Sequence, residues 1–415
     1  MNTSSPLPSR LATAELAATS VNAVLRAIDQ SDHADPDRIA VAYRSDRVLL
    51  IDDDAPSVWS PFSGFWRASD GWLRTHGNYA HHASALCRAL ALPTDAGADD
   101  LRAVFAAASV RDSVDRITGA GGLAVAVRGE NPDEDAALRE RSLVEITRIG
   151  DDAPRQTAVY GDPAAPLRGI RVLDLTRVIA GPVCTRTLAL LGADVLRIDP
   201  PRLAEPEWQH FDTGHGKRSA LLDARSPQMT ELLTEADVVV LGYRPAALDR
   251  LGLAPEFLAE QHPGLIIAQL SAWGRDHPDR AGFDSLVQAE SGIAMIESPD
   301  GERPGALPAQ ALDHSAGYLL AASICETLVR REREGGSWRI TTSLRRVAAE
   351  LLGMPRRDEP QPEREIDPAL HRQTFSVSGR TITTAAPVLP GFSFAAPRPW
   401  GGDRARWRSP RTAPV

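Results

Sequence analysis

Cysteine is scarce in this 415-residue chain, and that scarcity narrows the chemistry first. Cys87, Cys184 and Cys325 are scattered and odd in number, so neither a disulfide framework nor a CxxC metal or redox signature is available. Such usage fits a reduced, cytoplasmic compartment. No apolar run approaches the about 20 residues that a spanning helix needs. The N-terminal MNTSSPLPSRL has no charged stretch leading into an apolar one, so neither export nor a membrane partner is expected. Basic charge is short as well. With 46 Lys and Arg against 55 Asp and Glu, the net charge of -9 argues against a nucleic-acid surface. The Arg-rich end, residues 398–411, is the local exception and reads as a solvated tail.

The familiar phosphate and nucleophile signatures are missing too. The turn after the first strong strand is TRVIAGP rather than GxGxxG, and no GxxxxGK[ST] or GxSxG occurs. Asp199 stands where a ribose-binding acid would, which is weak evidence without the glycines. His81 and His82 have no metal-ligand partner at useful spacing and read as a surface pair, so no metal site is expected.

What is there is an α/β rhythm. Residues 170–175 form an apolar, β-branched run, Ala180-Gly181-Pro182 breaks it, and 183–191 are helical in composition. Gly192 stops that helix and 193–198 read as a second buried strand, completing a βαβ unit. Strands over 218–222, 237–241, 265–270 and 338–343 alternate with helices over 227–235, from Pro255 and over 315–331, which predicts a mostly parallel, helix-covered sheet. Upstream, residues 1–8 read as disordered, 11–28 as a helix, and 39–48 and 49–51 as short strands. Residues 59–72 concentrate aromatics around an Asp70-Gly71 turn. Helices over 80–92 and 99–108 and a strand over 142–149 follow. Downstream, 374–386 read as a hairpin about Ser378-Gly379. The division expected is a disordered start (1–10), an N-terminal domain (11–150), a linker (151–166), a large domain (167–352), a second linker (353–367) and a hairpin with tail (368–415).

One carboxylate stands out. Asp313 precedes the long helix in PAQALDHSAGYLL, where an N-cap is the plainest role. A carboxylate there is expected to stay ionised beside free amide donors, and such a pair can attack an acyl thioester and stabilise the resulting oxyanion.

Six ordered stretches carry a resemblance to the class III CoA-transferases, whose superfamily includes the α-methylacyl-CoA racemases. They are LRGIRVLDLTRVIAGPVCTRTLALLGADVLRID, HGKRSALLD, ADVVVLGYRPAALDRLGL, PGLIIAQLSAWG, AGFDSLVQAESG and the Asp313 stretch, spanning 167 to about 352. The resemblance implies a Rossmann-like large domain with a smaller α+β domain, and two chains interlocked as a homodimer. It also implies an acyl-CoA thioester and a carboxylic acid as substrates, no permanently bound cofactor, and Asp313 as the nucleophile. The Ala180-Gly181-Pro182 turn and the loop Ser271-Ala272-Trp273-Gly274 would line the CoA site, Arg197 or Arg202 would meet its phosphates, and Gln288 and Gly292 are weaker lining candidates.

The chain also departs from that pattern. Gly282-Phe283-Asp284 stands where the racemases carry GHD, and Phe cannot move a proton. His314, beside Asp313, is expected to point away. Ile179 replaces a glutamine of the formyl-CoA transferases, Pro200 replaces an arginine near the CoA phosphates, and the glycine-rich loop is absent after Leu352. Residues 62–92 resemble sequence normally found after the large domain, and RPWGGDRARW resembles a C-terminal segment, so the parts read as permuted. A CoA-transferase is the first expectation, with a racemase or isomerase and a non-catalytic acyl-CoA-binding paralogue as alternatives.

Overall fold

A computed structural model of the protein describes residues 4–93, 95–154 and 162–408. Its centre is a seven-stranded sheet. The strands are β5 (Glu145–Arg148), β6 (Arg171–Leu175), β7 (Asp194–Asp199), β8 (Arg218–Leu221), β9 (Val238–Leu241), β10 (Ile266–Ser271) and β11 (Trp338–Ser343). The order is β5-β11-β10-β9-β6-β7-β8, parallel except for β5, which pairs antiparallel with β11 at the edge. The inner strands are almost wholly buried because helices cover both faces, and β9 (Val238–Leu241) is apolar throughout.

On one face the long helix α5 (Ala311–Glu334) packs between α1 (Thr13–Ala27) and α3 (Ala180–Leu190). Gly317 sets the α3–α5 distance, because a Cβ there would lie 2.5 Å from the Ala180 carbonyl oxygen. Two small antiparallel sheets complete the fold. One joins β1 (Leu50–Ile51) to the hairpin of β12 (Arg372–Val377) and β13 (Arg380–Ala385). The other joins β2 (Gly64–Arg67), β3 (Trp72–Thr75) and β4 (Ala124–Ala126). Helix α2 (Ala80–Leu90) packs beside β2–β4 over a core that includes Trp66, Leu73, Leu86, Phe105 and Ile117. The α/β architecture read from the sequence is present, a large mostly parallel sheet with a smaller α+β assembly.

Several local expectations are corrected. Residues 39–48 are helical, in Pro36–Tyr43 and Ser45–Val48, because Asp35 caps the first of these by accepting the Asp37 N–H at 2.8 Å. The described part of the N-terminal segment is ordered. Leu7 is buried, and the Ser9 hydroxyl donates to Glu297 at 2.6 Å. The C-terminal stretch lies on the β8 edge, where the Trp400 indole donates to Asp199 at 3.1 Å and Trp407 to the Leu232 carbonyl at 3.0 Å. Residues 1–3, 155–161 and 409–415, which touch the expected disordered start, linker and tail, lie outside the described residues. No helix among the described residues is long and apolar enough to cross a membrane.

Candidate active site

The sheet has a switch point. β6 lies between β7, to which the chain runs first, and β9, to which it returns after β8. The crevice outside the carboxyl ends of two such strands is where open parallel sheets bind ligands. A cleft of about 710 Å³ opens there, lined by Arg177 and Val178 after β6, Tyr243 and Arg244 after β9, and His81 and His82 of α2. The two strand ends approach closely because Gly242 has no side chain. A Cβ there would meet Thr176 at 3.0 Å.

Buried charge fixes the loop after β6. The Asp174 carboxylate accepts from Thr176, Thr185 and the Lys217 ammonium at 2.5, 2.6 and 3.0 Å, and Lys217 also reaches the Pro182 carbonyl at 3.0 Å. Gly181 is required where α3 begins, since a Cβ would lie 2.4 Å from that of Thr176. Val178 holds a φ of 74°, an unfavourable region for a β-branched residue. Its N–H is pinned to Glu205 at 3.3 Å. The same carboxylate accepts from Arg197 at 2.6 Å, Arg177 at 3.2 Å and the Tyr79 hydroxyl at 2.7 Å. Glu205 thereby ties the strand ends to the N-terminal region.

Asp313 sits in the first turn of α5, but it is not the cap. The cap is Asp284, first residue of α4 (Asp284–Glu290), which accepts the Asp313 N–H at 2.9 Å and the Gln288 carboxamide at 2.5 Å. Among the described residues, no hydrogen bond or ion pair reaches the Asp313 carboxyl. Only 6% exposed, it lines a chamber of about 40 Å³. Burial, reinforced by the charge of Asp284, pushes its pKa well above the usual carboxylate range. Asp284 is itself pushed up to about 6 by burial, against the lowering effect of the hydrogen bonds it accepts. The expectation of a comfortably ionised carboxylate beside free α5 amides is therefore corrected, because Asp284 already occupies the Asp313 amide.

Phe283 and Val178 line both the chamber and the cleft, and so form the partition between them. His76 stacks on Phe283 with centroids 4.0 Å apart. His314, expected to point away, lines the chamber and stacks on Tyr43 at 4.9 Å. Burial pushes the pKa of each imidazole down to about 3, so both are neutral at ordinary pH.

The expected CoA-site residues divide. Ala180, Gly181 and Pro182 are buried at the start of α3, next to Ile179, which lines the chamber. Arg197 is fully buried against Asp199 at 2.7 Å and Glu205, so it has no free charge for a phosphate, and Asp199 has none for a ribose. Arg202 is exposed and does not line the cleft. Ser271, Ala272, Trp273 and Gly274 back the cleft without lining it. The Trp273 indole donates to the Ala281 carbonyl at 2.9 Å, and a Cβ on Gly282 would strike that indole nitrogen at 2.3 Å. Gln288 braces Asp284 and accepts the Leu307 N–H at 2.9 Å, while Gly292 is needed at a φ of 94° against the Glu130 backbone.

Sequence reasoning missed Arg244. It lines the cleft and donates to the Asp279 carbonyl at 3.1 Å, with no acidic side chain within ion-pair distance among the described residues. Its signal was present in the GYRPAALD stretch at the end of β9. Among the described residues no cluster of three or more His, Cys, Asp or Glu could hold a metal ion.

With this geometry in place, the comparisons with known proteins decide the family. The sequence profile of CoA-transferase family III matches residues 167–381, just over half of the chain. The chain belongs to CoA-transferase family III. It is 33% identical over 230 residues to the probable fatty acyl-CoA transferase Rv3272 of Mycobacterium tuberculosis, covering 49% of this chain and 58% of that protein. To the formyl-CoA:oxalate CoA-transferase of Bradyrhizobium diazoefficiens it is 30% identical over 210 residues, covering 46% and 49%. A solved structure of a hypothetical protein (Rv3272) from Mycobacterium tuberculosis aligns with a TM-score of 0.42 and 34% identity over 45% of this chain and 56% of that one. The chain thus spans about half the length of the family III relatives it matches.

Proposed function

We propose that this protein transfers CoA from an acyl-CoA thioester to a carboxylic acid, with Asp313 as the covalent nucleophile. The observation that carries this reading is a buried carboxyl with no hydrogen-bond or ion-pair partner among the described residues, in a chamber that adjoins, across Phe283 and Val178, a cleft at the switch point of a family III sheet. The cleft volume falls in the range of small-molecule sites. Arg244 supplies its unpaired cation for a CoA phosphate, and Phe283 and Val178 would flank the thioester where it passes into the chamber.

Asp313 in its ionised form attacks the thioester carbonyl, and CoA thiolate leaves to give a mixed anhydride. The thiolate then attacks the aspartyl carbonyl of the anhydride, releasing the donor acid and forming an aspartyl-CoA thioester. The acceptor carboxylate attacks that thioester and expels the thiolate, which adds to the acceptor acyl carbonyl and frees Asp313. Each step conserves the thioester's energy that hydrolysis would dissipate. The developing oxyanion needs donors, and the Ala180 and Gly181 N–H groups at the start of α3, which has no side-chain cap, are assigned that role.

The elevated Asp313 pKa has a sign that can be tested. Activity requires the ionised form, so the acid limb of the rate profile should lie above the ordinary carboxylate range. Asp284→Asn removes the like charge, and the limb should then move to lower pH. An unmoved limb would show that Asp284 does not act on the nucleophile's charge. Arg244→Ala should raise KM for acyl-CoA by about tenfold while leaving kcat nearly unchanged, as loss of one charge-assisted contact does.

The deciding experiment is intact-protein mass spectrometry after incubation with a panel of acyl-CoAs and hydroxylamine. A hydroxamate mapping to Asp313, absent from Asp313→Asn, is the expected result. CoA esters that bind without any adduct would overturn the reading and favour a non-catalytic acyl-CoA-binding paralogue. A racemase reading draws on His76 and His314, the two neutral imidazoles on the chamber wall. It predicts deuterium uptake at the α-carbon without an acceptor acid.

A further inference from the structure

A second cavity, of about 280 Å³ and sharing no lining residue with the cleft, lies next to the chamber. The two share Asp46, Trp59 and Gln310, so they are neighbours across Trp59. Arg74 of β3 lines this cavity. Its guanidinium lies between two rings, 5.2 Å from the Trp59 centroid and 4.7 Å from that of Phe65, its cross-strand neighbour on β2.

That guanidinium has no acidic partner within ion-pair distance among the described residues, and its Nε is buried without a hydrogen bond. Cation–π contact with two rings offsets part of the cost of desolvating a cation, but it leaves the N–H donors unfilled. A second polar group has the same character. Ser285, 7% exposed and lining the same cavity, has a buried hydroxyl with no partner. The other charged side chains on the cavity are Asp46 and Arg47. Burial, with the charge of Asp212 added, raises the Asp46 pKa, so Asp46 is a poor counterion. A partly buried guanidinium between two rings, on the wall of the same cavity as a free hydroxyl, offers the recognition chemistry of a carboxylate, which a guanidinium can hold by two parallel hydrogen bonds.

We propose that Arg74 and Ser285 bind the far carboxylate of a dicarboxylic substrate whose other carboxyl reacts at Asp313. The inference rests on reading the chamber as the reacting site. The near carboxyl lies against Asp313, the carbon chain passes Trp59, and the far carboxylate neutralises Arg74. A dicarboxylate can enter as the free acceptor or as the acyl group of the donor thioester, and the chemistry at Arg74 is the same for both.

The test uses the full chain and two readouts. In the first, succinate, glutarate and butyrate are titrated calorimetrically into wild-type protein, Arg74→Met and Arg74→Lys. The dicarboxylates should bind at least about tenfold tighter than butyrate, as one charge-assisted contact implies. That ratio should collapse in Arg74→Met and recover in part in Arg74→Lys, with circular dichroism showing that both variants fold. A wild-type ratio near one, or a ratio unchanged by either variant, would show that Arg74 only packs between its two rings and would overturn the proposal. This readout needs no turnover, so it stands apart from failure of the CoA-transfer reading. In the second, succinyl-CoA with butyrate and butyryl-CoA with succinate are compared. A rise in KM for succinyl-CoA in Arg74→Met assigns the site to the acyl group, and a rise for succinate assigns it to the acceptor.

Discussion

Asp313→Asn is expected to lower CoA transfer by about four orders of magnitude or more, the scale on which enzymes lose a covalent nucleophile. The same substitution should raise the melting temperature. Both follow from one arrangement. Among the described residues the buried Asp313 carboxyl has no hydrogen-bond partner, and Asp284, whose charge acts on it, is committed to accepting the Asp313 N–H at the start of the helix that carries it. A carboxyl whose folded pKa is raised favours the protonated form in the native state. It imposes no penalty below the unfolded pKa, and its cost to stability grows as pH rises through the folded value. The gain in Asp313→Asn should therefore be largest near pH 8 and vanish toward pH 4. Thermal melts across that range, read beside the transfer assay, check both halves. A variant that is inactive but no more stable at pH 8 would show that the carboxyl finds a partner in solution.

Glu205→Ala should be the most destabilising single change near the cleft. The Glu205 side chain is inaccessible and takes hydrogen bonds from Arg197, Arg177, Tyr79 and the Val178 amide. Removing one member of a buried ion network leaves uncompensated charge, at a cost of roughly 3 to 5 kcal/mol. Here Arg197 keeps only Asp199, and Arg177 loses its only acidic partner among the described residues. The pH dependence has the opposite sign to that of Asp313. Burial alone would raise the Glu205 pKa, but Arg197 and Arg177 together outweigh it and hold the group low. Its stabilisation is present above the unfolded glutamate range and is lost as pH falls through the folded value. Urea midpoints of wild type and variant should thus differ most near neutrality and converge in acid. The strained φ of Val178 also depends on this anchor, so the variant should bind acyl-CoA more weakly as well.

The central sheet was legible because its strands are short, mostly apolar runs rich in Val, Ile and Leu, and several helices between them open on Pro or close on Gly. Gly192, with a φ of 98°, ends α3 where a left-handed residue was expected. Local pattern failed where tertiary contacts decide the outcome. Residues 39–43 look strand-like yet form a helix, because Asp35 caps it and its apolar side chains fill the core under α1. Asp313 was identifiable as a candidate from its position at the start of the long helix. That its carboxyl has no partner among the described residues was not legible, since the residue that replaces it as cap lies 29 positions earlier. Arg197 shows the reverse error. A basic residue near the end of a strand suggests a phosphate contact, but its acidic partners, Asp199 and Glu205, are apparent only once the loop folds back.

The Tyr79–Glu205 bond joins residues 126 positions apart, and the Tyr43–Ser315 bond joins residues 272 apart. During synthesis at about 5 to 20 residues per second, Glu205 emerges roughly 6 to 25 s after Tyr79, and Ser315 roughly 14 to 54 s after Tyr43. The N-terminal region, with Tyr43, Trp59 and Tyr79, leaves the ribosome long before the surfaces it will cover. Its apolar side chains must wait in water or on a chaperone until the central strands arrive. The chamber therefore cannot close until residue 313 is made, and a nascent chain cut short before it holds most of the chamber walls but not Asp313.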